Sequence, residues 1–185
     1  MREKRAIDNG DIYTLVEKIK KGDREAFMTA TALYQKKVFL LAFSFFRNKE
    51  DALDIVQETF LRFYQKVNLF KTGQNFQNWL LQIAKNLCID YYRKNYNKSK
   101  EYEREKTIEE MNLAIQDEKD PYHSSDLKEI FAVCLKKLAT KQRLIFVMKQ
   151  YNQLEYREIA QMLGISVGTV KALHCRAVRN LIVLI

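Results

Sequence analysis

The 185-residue chain holds one proline and five glycines. So little backbone punctuation excludes collagen-like and low-complexity architectures and leaves room for long, uninterrupted helices. Cysteine is scarce too: Cys88, Cys134 and Cys175 stand far apart with no CxxC spacing, which excludes a disulfide framework and a zinc ribbon. They read as reduced packing residues of a cytoplasmic protein. The two histidines, His123 and His174, have no partners at metal-ligand spacing, so neither a metal nor another cofactor is expected. Long apolar runs are also missing. The stretch over residues 38–43 falls far short of the ~20 residues that span a bilayer, and no signal-peptide pattern opens the chain. The expectation is a soluble protein of the cell interior with no membrane insertion.

What the chain does have is 47% hydrophobic and 12% aromatic residues, ample for packed cores. The apolar residues recur at helical spacing with no sustained alternation, which predicts an all-α fold. The formal charge of +9 is distributed unevenly. Residues 1–97 carry 17 Lys+Arg against 11 Asp+Glu, residues 98–126 carry 5 against 9, and residues 127–185 carry 10 against 3. Two basic blocks therefore flank an acidic connector with the lone Pro121. This division predicts two small helical domains, 1–97 and 127–185, joined by a flexible acidic linker over 98–126. Any polyanion-binding surface belongs to the blocks.

Residues 155–181 of the second block read as two helices joined by a turn. Ile159, Ala160 and Leu163 give the first helix an apolar side, Gly164 supplies a left-handed end, and Ser166 can cap the next helix. On a wheel of ~100° per residue, Val170, Leu173, Ala177 and Leu181 form one stripe. Gly168, Lys171, Ala172, Cys175, Arg176 and Arg179 fall opposite, a basic face with small residues that permit close approach. A helix-turn-helix with such a face suits the DNA major groove. A helical hairpin with solvated basic residues is the plainer alternative. Upstream, Thr140 is placed to cap a helix from Lys141 to Tyr151, and Ser125 or Asp126 one running to about Leu138.

The first block reads as four helices. Asp11 can cap a helix from Ile12 to Lys20, and Gly22-Asp23 breaks and recaps the chain for a long apolar helix from Arg24 to about Phe46. A third helix, Glu50 to about Val67, turns Ala52, Ile55, Val56, Thr59, Phe60 and Phe63 inward. Its outer side carries Asp51, Asp54, Gln57 and Glu58. Three of these are carboxylates at i, i+3 and i+7, which could in principle hold a divalent cation as in a nuclease. A helix surface offers no enclosing shell, so an acidic patch that docks a basic partner protein is the better reading. After a turn-rich loop, NLFKTGQN, Asn75 or Phe76 begins a fourth helix containing Trp79, Lys85, Tyr92, Arg93 and Lys94. Cations interleaved with aromatics are what single-stranded nucleic acid requires: charge for the backbone and π faces for unstacked bases. Any one of these aromatics can equally be a core residue.

Taken in order, these motifs resemble a bacterial RNA polymerase sigma factor of the sigma-70 family, in its small extracytoplasmic-function (ECF) group. DALDIVQETFLRFYQK is similar to the family's polymerase-binding helix, and FQNWLLQIAKNLCIDYYRK to its promoter-melting helix. The second block, from KQRLIFVMKQ through VKALHCRAVRNL, is similar to the domain that reads the minus-thirty-five element. The resemblance implies two domains, region 2 and region 4, and a promoter-directing subunit with no catalysis of its own.

It also assigns residues. Asp54, Gln57 and Glu58 would meet the clamp helices of the largest polymerase subunit, with the flap as a further core contact. Asn68, Asn75 and Phe76 would border a base-capture loop for the minus-ten element, and Trp79, Lys85, Tyr92, Arg93 and Lys94 would lie beside the melted strand. Lys171, Ala172, Arg176 and Arg179 would face minus-thirty-five DNA, with Ser166 and Thr169 near phosphate. An anti-sigma factor is an implied partner, and the protein alone is expected to be a monomer. At Ala172-Leu173 the chain departs from the family's common Ser-Arg pair. The rival from another class is a stand-alone, dimeric helix-turn-helix regulator on palindromic half-sites.

Overall fold

The structure, a computed structural model, describes residues 9–71, 73–95 and 138–182. The elements are α1 (Asn9–Lys20), α2 (Arg24–Phe46), α3 (Lys49–Lys66), a 3₁₀ turn (Val67–Leu69), α4 (Phe76–Asn95), α5 (Thr140–Gln150), α6 (Tyr156–Leu163) and α7 (Val167–Ile182). No strand occurs among the described residues, and the fold is all-α. The linker over 98–126, the helix expected to end near Leu138, and Cys134 and His123 lie outside the described residues, Leu138 itself excepted.

Short polar side chains begin most of these helices. Asp23 Oδ1 accepts from the Ala26 amide at 3.0 Å, Asn48 Oδ1 from Asp51 at 2.9 Å, Asn75 Oδ1 from Asn78 at 3.0 Å and Ser166 Oγ from Thr169 at 3.0 Å. Each bond satisfies an amide that the helix itself leaves unpaired, an effect of ~1 kcal/mol. Two expected caps are placed differently. Asp11 lies within the first turn of α1, which begins at Asn9, so its carboxylate faces the positive end of the helix dipole. Thr140 is the first residue of α5, and Ala139 occupies the cap position. The Thr140 hydroxyl instead accepts from Arg143 Nη2 at 3.3 Å.

Helices α1 to α4 enclose the larger part of the core. Ile12, Val16 and Ile19 come from α1, the six inward residues expected of α3 are all buried, and α4 adds Phe76, Leu80, Leu81, Ala84, Leu87 and Cys88. Residues 38–44 of α2 are buried without interruption, because α2 packs against α1, α3, α4 and α5. A helix stretch apolar all round must find partners all round. The core therefore continues from α2 into Leu144, Ile145, Val147 and Met148 of α5, and onward to Ile159 and Val170 of the helix-turn-helix.

Polar bonds flank this apolar seam. Arg143, 1% exposed, donates from Nε to Ser44 O at 2.6 Å and from Nη1 to Leu138 O at 3.0 Å. Ser44 lies in the last turn of α2, where carbonyls have no helical partner, so a guanidinium there satisfies one and opposes the negative end of the dipole. Gln77 Nε2 donates to Asn152 O at 2.5 Å, Asn78 donates to Glu158, and Lys85 Nζ donates to Met162 O at 3.0 Å.

Candidate nucleic-acid interface

The helix-turn-helix forms as its local chemistry requires. The Glu155 amide donates to Glu158 Oε2 at 2.7 Å, starting α6. Gly164 ends it at φ 65°, the left-handed region where glycine carries no steric penalty, and the Ile165 amide donates to Ala160 O at 3.1 Å. Ser166 then starts α7. Val170 and Ala177 are fully buried, and Leu173 and Leu181 are half-buried beside them. Gly168, Lys171, Ala172, Cys175, Arg176 and Arg179 are all exposed on the opposite side, together with Ser166 and Thr169 at the helix start. Cys175, expected as a packing residue, thus lies on the open face. Of the two described cysteines Cys88 is the one that packs, and burial pushes its thiol pKa up.

At the junction of α5, α6 and α7, one ring gathers several polar groups. The Tyr156 hydroxyl lies 3.1 Å from His174 Nδ1, whose Nε2 lies 3.3 Å from Gln150 Nε2. Lys149 Nζ lies 4.9 Å and Lys171 Nζ 5.9 Å from the centroid of the Tyr156 ring. His174 also stacks on Phe146, with centroids 6.2 Å apart. Burial first, and then the Lys149 charge, hold the imidazole pKa below its ordinary value. A neutral ring suits the geometry, since one nitrogen can then accept while the other donates.

On α3, Asp54 and Gln57 are exposed and Glu58, half-buried, accepts from Arg62 Nε at 2.8 Å. Asp51 turns toward α4 and accepts from the Tyr91 hydroxyl at 2.6 Å, so the i, i+3, i+7 carboxylate row does not converge. Among the described residues no group of three His, Cys, Asp or Glu side chains could hold a metal ion. Two residues of this stripe escape a search for charge. Leu61 and Tyr64 follow Asp54 and Gln57 at helical spacing and are 52% and 47% exposed. Unburied apolar groups on an otherwise amphipathic helix are the signal that finds them.

The loop and α4 divide the expected single-strand residues. Asn68 and Asn75 are exposed, and Leu69 between them is 69% exposed. Phe76 is 1% exposed, so it offers no face to a base. It is the loop's footing, with centroids 5.3 Å from Phe63 and 5.5 Å from Phe70. Trp79 is half-buried in the same cluster, 5.3 Å from Phe70. Tyr92, Arg93 and Lys94 are exposed on the last turns of α4. Lys85 is half-buried toward α6, and burial lowers its ammonium pKa. Asn68 and Asn75 thus lie on one loop, Trp79 packs on that loop's Phe70 from the first turn of α4, and Lys85 is set apart against the other half.

Residues 32–97 match the family described as Sigma-70 region 2, and residues 128–181 match Sigma-70, region 4. The chain is 32% identical over 162 residues to the ECF RNA polymerase sigma factor SigW of Bacillus subtilis, which covers 84% of this chain and 87% of the relative. It is 29% identical over 170 residues to the ECF RNA polymerase sigma-E factor of Escherichia coli, 88% of each chain. Two solved structures share the fold. The sigma factor RpoE of Bartonella quintana, in complex with the anti-sigma factor NepR, aligns with a TM-score of 0.64 at 23% identity over 84% of this chain and 93% of that one. CnrH, in complex with the cytosolic domain of CnrY, aligns with a TM-score of 0.62 at 24% identity over 92% and 94%. With both regions matched in order and the relatives covered nearly end to end, the chain belongs to the sigma-70 family of RNA polymerase sigma factors, in its ECF group.

Proposed function

We propose that this chain binds core RNA polymerase and directs it to promoters through two DNA contacts. The carrying observation is that one chain exposes two faces of different chemistry. Asp54, Gln57, Leu61 and Tyr64 make an acidic and apolar stripe on α3, suited to a protein partner, whereas Lys171, Arg176 and Arg179 make a basic face on α7, suited to DNA. Asp54, Gln57 and Glu58 meet the clamp helices of the largest subunit, and the second unit lies toward the flap. Asn68, Asn75 and Trp79 receive an unstacked minus-ten base above the Phe76 footing, while Tyr92, Arg93 and Lys94 serve the opened strand. Ser166 and Thr169 approach phosphate, and Lys171, Ala172, Arg176 and Arg179 face the minus-thirty-five element.

The division into 1–97, 98–126 and 127–185 gives each DNA contact its own unit. Polymerase then couples two weak contacts, so selection depends on their spacing as well as their sequence. Bond-making stays with the core enzyme. An anti-sigma factor is the natural antagonist, and the free chain is a monomer that binds duplex promoter DNA weakly.

A pair of variants tests the two surfaces. Lys171→Ala is expected to lower promoter use roughly ten-fold, the loss of one base-reading contact, with core binding unchanged. Gln57→Ala combined with Glu58→Ala is expected to weaken core binding whatever the promoter. Failure of both variants at the same step would show that the two surfaces are wrongly assigned.

A further inference from the structure

The basic face of α7 has three cations, Lys171, Arg176 and Arg179, with Ala172-Leu173 between them. Lys171 is exposed and carries a long, rotamer-rich stem, so holding it still on DNA costs free energy unless it is held beforehand. We propose that Tyr156 is a positioning residue for Lys171, with its ring presenting an aromatic face to the ammonium before DNA arrives. The inference rests on the assignment of Lys171 to minus-thirty-five DNA.

Three observations carry it. First, Lys171 Nζ lies 5.9 Å from the Tyr156 centroid, within the reach of a cation–π contact. Second, the ring is itself anchored. Its hydroxyl meets His174 Nδ1 at 3.1 Å, and His174 is held between Phe146 and Gln150. Third, the other cation on the ring is already committed: Lys149 Nζ donates to Leu154 O at 3.1 Å and stands 3.9 Å from Glu155 Oε2.

The first test is nuclear magnetic resonance of the full chain. Lys171 ε-methylene protons should be shifted upfield by the ring current relative to those of exposed Lys141. That shift should persist in Tyr156→Phe and vanish in Tyr156→Leu. An unshifted Lys171 in the unaltered protein overturns the proposal without any variant. The second test is a double-mutant cycle on promoter use by reconstituted polymerase. Tyr156→Leu should cost about two- to five-fold when Lys171 is present, Tyr156→Phe less than that, and Tyr156→Leu almost nothing on a Lys171→Ala background. An equal loss in both backgrounds overturns the positioning role alone. A Lys171→Ala variant with full promoter use overturns the DNA assignment and the positioning role with it.

Discussion

Arg143 gives the clearest case of one side chain binding separate parts of the chain. Its guanidinium is buried, yet it donates to two backbone carbonyls and a hydroxyl, Ser44 O, Leu138 O and the Thr140 side chain. Arginine suits the position because its planar fork presents several donors at fixed angles, where lysine would offer a compact charge. Arg143→Leu fills much of the volume but strands Ser44 O, while Leu138 O keeps only the longer bond from Arg47 Nη2 at 3.4 Å and the exposed Thr140 hydroxyl turns to water. Urea unfolding of the full chain should then show a loss of about 1–3 kcal/mol, the scale of one buried carbonyl left unpaired. A loss below about 0.5 kcal/mol would mean that the carbonyl finds another partner, and that Arg143 does not tie α5 to α2.

At the scale of elements, the turn between α6 and α7 decides how the reading face is aimed. Gly164 sits at φ 65° with nothing within 4 Å of the place a Cβ would occupy, so the backbone alone demands glycine there. Gly164→Ala should cost about 1–2 kcal/mol, the left-handed penalty of an ordinary residue. Gly168 is the internal control: it is helical, and its added Cβ would meet Ser166 Oγ at 3.7 Å, an ordinary contact. Gly168→Ala should therefore stabilise α7 by roughly 0.5–1 kcal/mol. Paired urea titrations check both, and an identical change in the two variants would contradict the assignment.

These local features are also the ones legible in the sequence. Gly164, Ser166 and the Val170–Ala177 stripe act within a few residues of each other, so spacing alone places them. The inward face of α3 is readable for the same reason, as a periodic pattern over a single helix. Contacts between distant segments leave no such mark. Arg143 and Ser44 are 99 positions apart, Lys85 and Met162 are 77 apart, and Tyr91 reaches Asp51 across 40. The burial of Phe76 could not be told from a base platform by its neighbours, because loop aromatics serve both purposes. One long-range contact did leave a hint: the unbroken apolar run in α2, which amphipathy against a single bundle does not require.

At the scale of the whole molecule, that run accounts for the way the halves meet. The α2–α5 seam is apolar at its centre and polar at its margin, where Gln77, Asn78 and Lys85 bond to the second unit. The Asn152 side chain, buried at this margin, has no hydrogen-bond partner among the described residues, a cost set against the apolar gain. In this arrangement the Lys85 ammonium is occupied by Met162 O and not by a DNA strand, whereas the faces of α3 and α7 remain open. A chain so arranged holds its partner surfaces ready, but depends on polymerase to set them on a promoter together.

The most direct measurement is transcription by core polymerase on fragments of the source genome, with and without this protein, read as start sites. A discrete set of starts should appear only with the protein, preceded by two short elements at constant spacing, and should collapse with Lys171→Ala. Start sites indifferent to the protein on every fragment would contradict its role in directing initiation.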